Sequence, residues 1–372
     1  MTDGLADRIK EGTTELFVYP SKSSGKGPSI RENVPFYNPA MELNRDLSIL
    51  VNQWLVNTTA KHVHILDGLA ASGIRGIRLA HELSGDFEVT INDWNDQSVA
   101  LIQQNIQQHQ LKNVSMFQRD LCCLLQERRF HSIDIDPFGS PVYFFDAAVR
   151  SVYNKGLIAC TATDTAALCG VFPQVCYRRY AAWPSHTPSM HEVGLRILLG
   201  CLCREAAKYD RGIEPILCYT TDHYMRAYVQ VQNGKSAANA SMAKYSSIVA
   251  ENIPLSNAST ALVGPLWLGN LQKKTAVQEI RTLASSTVLH TKPLLWKLLD
   301  VLEEEAEASP FFYTINDLSS LLKVSPPTMD YIKRQLQGKG FQVTRTHCTP
   351  TGFKTDAPMS IVTEVFKREQ IS

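Results

Sequence analysis

Apolar residues recur at Leu43, Leu47, Leu50, Val51, Trp54 and Leu55. That spacing predicts a helix over 40–57, with Asn38-Pro39 as its start signal. From residue 62 the pattern changes to short apolar runs separated by polar stretches of helical period. The runs at 62–68 (HVHILDG), 88–93, 114–120, 131–138 and 156–164 read as strands, with helices over 74–83, 97–109 and 141–152. Strands alternating with helices at this pace predict an α/β fold with a parallel, doubly wound sheet. Such sheets bind ligands outside the carboxyl ends of their strands. Asp67, Asp93, Asp120 and Asp136 end four of these runs, so acids collect on the ligand-binding edge.

Further along, 190–209 reads as a mostly apolar helix and 213–231 as two strands. Residues 232–257 are polar and rich in small side chains, which reads as a loop or insertion. A short strand is expected at 15–20, and SKSSGKGP at 21–28 has the composition of a loop. After a helix over 294–308 come a helix at 315–322, a turn at 324–327 and a helix at 328–338. Strands at 341–347 and 359–366 complete a winged-helix pattern. The expected division is a domain at 1–268 and a smaller C-terminal α/β domain of winged-helix character at 269–372.

Composition narrows the class. The 372 residues are 44% hydrophobic and 20% charged, an ordinary globular balance. Apolar runs fall short of the roughly 18–20 residues that span a bilayer, and the polar first ten residues have no signal-peptide core. The expectation is a cytoplasmic protein with no membrane partner and no obligate protein partner. The nine cysteines are odd in number and none are spaced Cys-x-x-Cys. A disulfide framework and a zinc ribbon are therefore not expected, and no metal is assigned. A net charge of +1 excludes a globally basic nucleic-acid binder but not a local patch. The densest imbalance runs from Lys323 to Lys354, with six basic residues and one acid. Arg178-Arg179-Tyr180 reads either as a phosphate contact or as a solvated surface.

The turn after the first strand, residues 65–78, carries Gly68 and Gly73, which permit close backbone approach to a ligand. Asp93 is placed to accept from both hydroxyls of an adenosine ribose, and Asp120 from an adenine amino group. The most specific feature is Asp136-Pro137-Phe138-Gly139-Ser140-Pro141 at the end of the fourth strand. Amino-group methyltransferases often carry a relative of it here. The lone pair of an exocyclic amine is delocalised into its base. A carboxylate and a backbone carbonyl accepting the two N–H bonds localise and aim it. Proline fixes the turn, and an aromatic stacks on the base.

DIDPFGSP, PFYNPAMELNRDLS, LDGLAASGIRGIR, TATDTAALCG, HEVGLRILLG, GPLWLG and TPTGFKTDAP resemble segments of the tRNA (guanine-26-N2)-dimethyltransferases, compact archaeal type. They occur in the family's order over about 11–358. The resemblance implies a Rossmann-like domain dependent on S-adenosyl-L-methionine (SAM) that dimethylates N2 of guanine 26 in tRNA. It implies Asp136 as the catalytic carboxylate, with Phe36, Pro137 and Phe138 around the guanine. Cofactor contacts would come from Arg45, Asp67, Arg75, Asp93, Asp120 and the backbone of Leu121; separately, the basic window at 323–354 offers Lys333, Arg334, Lys339 and Arg345 as the expected tRNA phosphate contacts. One departure stands out: many archaeal relatives carry cysteine pairs before GPLWLG, and residues 219–268 contain no cysteine. The alternatives are an amino-group methyltransferase acting on another RNA or DNA base, and a non-catalytic winged-helix nucleic-acid-binding protein.

Overall fold

The structure, a computed structural model, describes residues 6–19, 35–221, 223–256 and 260–368. The loop expected at 21–28 lies outside them. The strand–helix rhythm produces a seven-stranded sheet of β1 (Val63–Asp67), β2 (Phe87–Asn92), β3 (Val114–Phe117), β4 (Phe130–Ile135), β5 (Val152–Ala162), β6 (Arg211–Thr220) and β7 (Met225–Asn233). The strand order is β3-β2-β1-β4-β5-β7-β6. The first five strands run parallel, as their intervening helices require, and β7 lies antiparallel between β5 and β6.

Strand side chains alternate between the two faces. Ile65, Leu157 and Ala159 join one apolar cluster with helices Glu42–Thr58 and Ile74–Glu82. Leu66, Ile158 and Cys160 join the other, with helix Met190–Ala207. Cys160, Cys169, Cys176, Cys201, Cys203 and Cys218 are free and buried, filling space as small hydrophobes. Helices Lys274–Ser286 and Lys292–Glu304 pack into the first cluster beside Glu42–Thr58, so this core reaches past the boundary expected at 268. A separate small core spans Ile315 to Phe366. Among the described residues no helix is long and apolar enough to cross a membrane.

Two expected elements differ. Residues 359–366 are not a strand: Met359–Arg368 is a helix, and the small sheet is closed by Gly352–Thr355 between Tyr313–Thr314 and Val343–Arg345. Ile361, Val362, Thr363 and Val365 favour strand locally. The buried positions Val362, Val365 and Phe366 have helical spacing, and the Pro358 carbonyl accepts from the N–H groups of Ile361 and Val362. Nor is 232–257 a loop insertion. Lys235–Met242 is a helix whose Ser241 exchanges hydrogen bonds with the Ile213 backbone, and Tyr245–Val249 pairs antiparallel with Leu262–Trp267.

Candidate active site at the carboxyl edge of the sheet

β1 and β4 are neighbours, with Asp67 in register with Asp134. The chain leaving β4 therefore carries Asp136-Pro137-Phe138 out over the end of β1. Its turn is held on the β5 side. Gly139 has a φ of +87° and donates its N–H to Thr163 Oγ1 at 2.7 Å, while Thr163 N–H donates to the Gly139 carbonyl at 2.9 Å. Ser140 Oγ donates to Tyr180 Oη at 2.8 Å, and Tyr180 donates to Asp164 Oδ1 at 2.7 Å. Phe138 projects from this pinned loop with 46% of its surface exposed. Its ring meets Phe36 edge to face, with centroids 5.0 Å apart. The structure thus unites Asp136, Pro137, Phe138 and Phe36, although Phe36 lies about a hundred residues away in sequence.

Beneath the loop lies a buried charge cluster. Arg75 pairs through Nη2 with Asp136 Oδ2 and donates through Nη1 to Asn44 Oδ1 at 2.8 Å and Ser48 Oγ at 2.6 Å. Arg226, fully buried in β7, holds Asp134 with both Nη atoms, at 3.0 and 2.5 Å, and donates to Thr161 Oγ1 at 2.9 Å. Ser48 Oγ also accepts from Arg226 Nη2 at 3.2 Å and contacts Tyr228 Oη at 2.8 Å, so one hydroxyl links the two guanidinium groups. Burial alone would lower the pKa of Arg75, but Asp134 and Asp136 raise it overall. Burial likewise opposes the charge on Asp134, and Arg226 with Arg75 overcomes it, holding that carboxyl low. Asp67 goes the other way: burial pushes it up to about 7 against the pull of Arg75, with Asp134 adding to the rise.

The rest of the edge is built for close approach. The Asp93 oxygens accept from Ala71 N–H at 2.7 Å and Asn95 N–H at 2.9 Å, fixing the carboxylate at the end of β2. Trp94 beside it is 78% exposed. A Cβ on Gly68 would sit 2.9 Å from the Asp134 carbonyl oxygen and from Leu121 Cδ1, so only glycine fits without displacement. Asp120 is exposed and caps the helix Leu121–Glu127 by accepting from Cys123 N–H at 3.0 Å. Leu121 is the buried first residue of that helix. Asp67 Oδ2 is turned inward onto Gly76 N–H at 2.8 Å. Arg45 is buried in a two-pronged pair with Glu11 and donates to the Asn38 carbonyl, tying down the segment that carries Phe36.

The C-terminal cations are less available than their sequence density implies. Lys333 and Arg345 both engage Glu304, at 2.6 and 2.8 Å, and Lys339 faces Glu364 at 3.4 Å. Lys354 is buried on Glu192 at 3.0 Å. Of the four residues expected on tRNA, Arg334 alone has no ion pair among the described residues. At the opposite edge of the sheet, His62, His64 and Glu88 have candidate metal-ligand atoms within 4.8 Å of one another, already in imidazole–carboxylate contacts. Sequence reasoning missed Asn44, Ser48, Thr161 and Arg226. Only Arg226 left a signal, as the one charged residue of its strand.

The model of the TRM family, N2,N2-dimethylguanosine tRNA methyltransferases, matches residues 21–367. The tRNA (guanine(26)-N(2))-dimethyltransferase of Methanobrevibacter smithii is 35% identical, with 96% of each chain covered. That of Pyrococcus furiosus is 38% identical over 97% of this chain and 98% of its own. Among solved structures, Trm1 from Pyrococcus horikoshii in complex with S-adenosyl-L-methionine superposes with a TM-score of 0.86 at 34% identity. That match covers 96% of this chain and 99% of that one.

Proposed function

The chain belongs to the N2,N2-dimethylguanosine tRNA methyltransferase family, and we propose that Asp136, on the loop after β4, directs the chemistry of its reaction. The enzyme transfers methyl groups from SAM to N2 of guanine 26 in tRNA. The residues of this site fit the cofactor. Asp93 is a backbone-locked acceptor for ribose hydroxyls, Trp94 leaves an open ring beside it, and Gly68 clears the approach. Asn44 Nδ2 is buried beside Arg75 without a partner among the described residues, a spare donor for the carboxylate of the methionine portion. SAM supplies an electrophilic methyl on a sulfonium.

The observation that carries the assignment is the Arg75–Asp136 pair next to Phe36 and Phe138. Guanine N2 points into the minor groove of paired RNA, so the base must be exposed at a cost of a few kcal/mol. Phe36 and Phe138 recover that cost by stacking, roughly 1–3 kcal/mol per contact. Arg75 holds Asp136 Oδ2, leaving Oδ1 to accept from N2–H, while the Pro137 carbonyl takes the second N–H. The lone pair is thereby localised and aimed. After one transfer a single N–H remains, and Asp136 can hold it for the second. Residues 1–268 read as the part that performs this reaction. Of residues 269–372, the helices Lys274–Ser286 and Lys292–Glu304 pack into that part's core, and the helix–turn–helix and hairpin that follow read as the part that reaches the body of the tRNA.

Mass spectrometry of nucleosides, and of ribonuclease fragments that locate the modified position, from tRNA incubated with protein and SAM tests this. N2,N2-dimethylguanosine is expected with the native chain; its absence, or its appearance at an unrelated nucleotide, overturns the reading.

A further inference from the structure

Resting on that reading, we propose that the cleft beside the catalytic loop, formed by Tyr143, Arg178, Arg179 and Arg204, grips the phosphodiester backbone of tRNA next to the target guanine. The cleft has a volume of about 470 Å3, and its wall also includes Val142 and Glu205. Three guanidinium groups line it against one carboxylate. Arg178 is exposed and has no ion pair among the described residues. Arg179 is aimed by Asp164 at 2.8 Å, and Arg204 by Glu205 at 3.2 Å. Preset guanidinium forks are suited to the paired oxygens of phosphate.

Two further observations connect the cleft to the chemistry. Val142 and Tyr143 belong to the turn Pro141–Phe144, the direct continuation of the Asp136–Ser140 loop. The hydrogen-bond chain Arg179–Asp164–Tyr180–Ser140 runs from the cleft wall into that loop. A phosphate held at Arg179 is therefore registered against Phe138 through four side chains. Tyr143 is 66% exposed, which offers a stacking face for a neighbouring unpaired base. The polar, cationic lining favours RNA over an apolar protein partner.

The test is tRNA affinity as a function of salt, measured on the full chain with an unmodified tRNA transcript. Arg178→Ala should reduce the log–log slope by about 1, and Arg178→Ala with Arg204→Gln by about 2. SAM affinity by calorimetry should stay at the native value and reports folding. If the double variant loses SAM binding, the exposed single variant decides. Unchanged slope and unchanged affinity in Arg178→Ala overturn the proposal, and with it any role for the cleft other than a protein contact. Failure of the enzymatic reading is distinguishable: the native chain would then form no N2,N2-dimethylguanosine, whatever its salt slope.

Discussion

Asp136 and Asp134 stand two residues apart on one strand end and do different work. Asp134 is sealed against Arg226, its carboxyl held low by two guanidinium groups. Asp136 keeps 22% of its side chain exposed and shares one oxygen with Arg75. The first is placed to position, the second to act. Asp136→Asn preserves size but turns one acceptor into a donor, at the point where the guanine amine needs an acceptor. Single-turnover methyl transfer at saturating SAM and tRNA should slow at least about 100-fold, the scale of losing one preorganised electrostatic contact. SAM affinity should remain near native. A variant within a few-fold of native would make Asp136 structural. The motif around Asp136 was legible in the sequence because its residues are contiguous. Its support was not, since Ser48, Thr161 and Arg226 come from three distant elements and meet only when the strands assemble.

The sheet edge works because strand ends and helix starts crowd together without side chains between them. Gly68 is one such junction, where β1, the Asp134 carbonyl and Leu121 converge. Gly68→Ala sets a methyl against the Asp134 carbonyl and the Leu121 side chain, which should destabilise the fold by about 1–3 kcal/mol, the usual scale of overpacking. Thermal unfolding should show the loss. Calorimetry should show weaker SAM binding, because the displaced atoms border the site. Native SAM affinity in a destabilised variant would mean that the junction serves the core alone. Elements of this kind were readable where one physical signal dominated. The β1–β5 rhythm was clear because each strand is an apolar run between turn residues. Met359–Arg368 was misread because β-branched residues outvoted a proline start and a helical burial pattern. Residues 235–249 were missed because small polar side chains, such as Ser241, do their packing through backbone hydrogen bonds and leave little hydrophobic pattern.

Across the whole molecule, the catalytic part and the small C-terminal core are joined by buried ions. Glu192, on the helix behind the catalytic sheet, engages Arg196 at 2.8 Å, Lys354 of the small C-terminal sheet at 3.0 Å and the Phe311 N–H at 2.9 Å. Thr220, the last residue of β6, donates its N–H to His347 Nε2, while Nδ1 of that ring meets Glu305. Burial works against the Glu192 charge, but Lys354 and Arg196 prevail and bring its carboxyl down to about 2. An unfolded glutamate titrates near 4.3, so the shift contributes on the order of 3 kcal/mol above that pH. This stability is lost as pH falls from about 5 toward 2. Glu192→Gln should remove most of that acid limb and cost about 3–5 kcal/mol at neutral pH, since it leaves buried Arg196 without its counter-charge and Lys354 with Glu305 alone, 3.9 Å away. Chemical unfolding followed across pH 2–7 reads both; an unchanged acid limb in the variant would place the titration elsewhere.

The same junction governs how this fold can be taken apart. A hydrophobic seam between two cores can be cut and capped with a few polar substitutions. A seam that also holds buried ions cannot, because each half inherits charges whose partners left with the other. A catalytic half produced alone would carry Glu192 opposite an empty place and expose the end of β6. The C-terminal part is thus less an accessory added to a methyltransferase than a structural component of it, and chimeras that exchange it must carry Lys354, Glu305 and His347 along together.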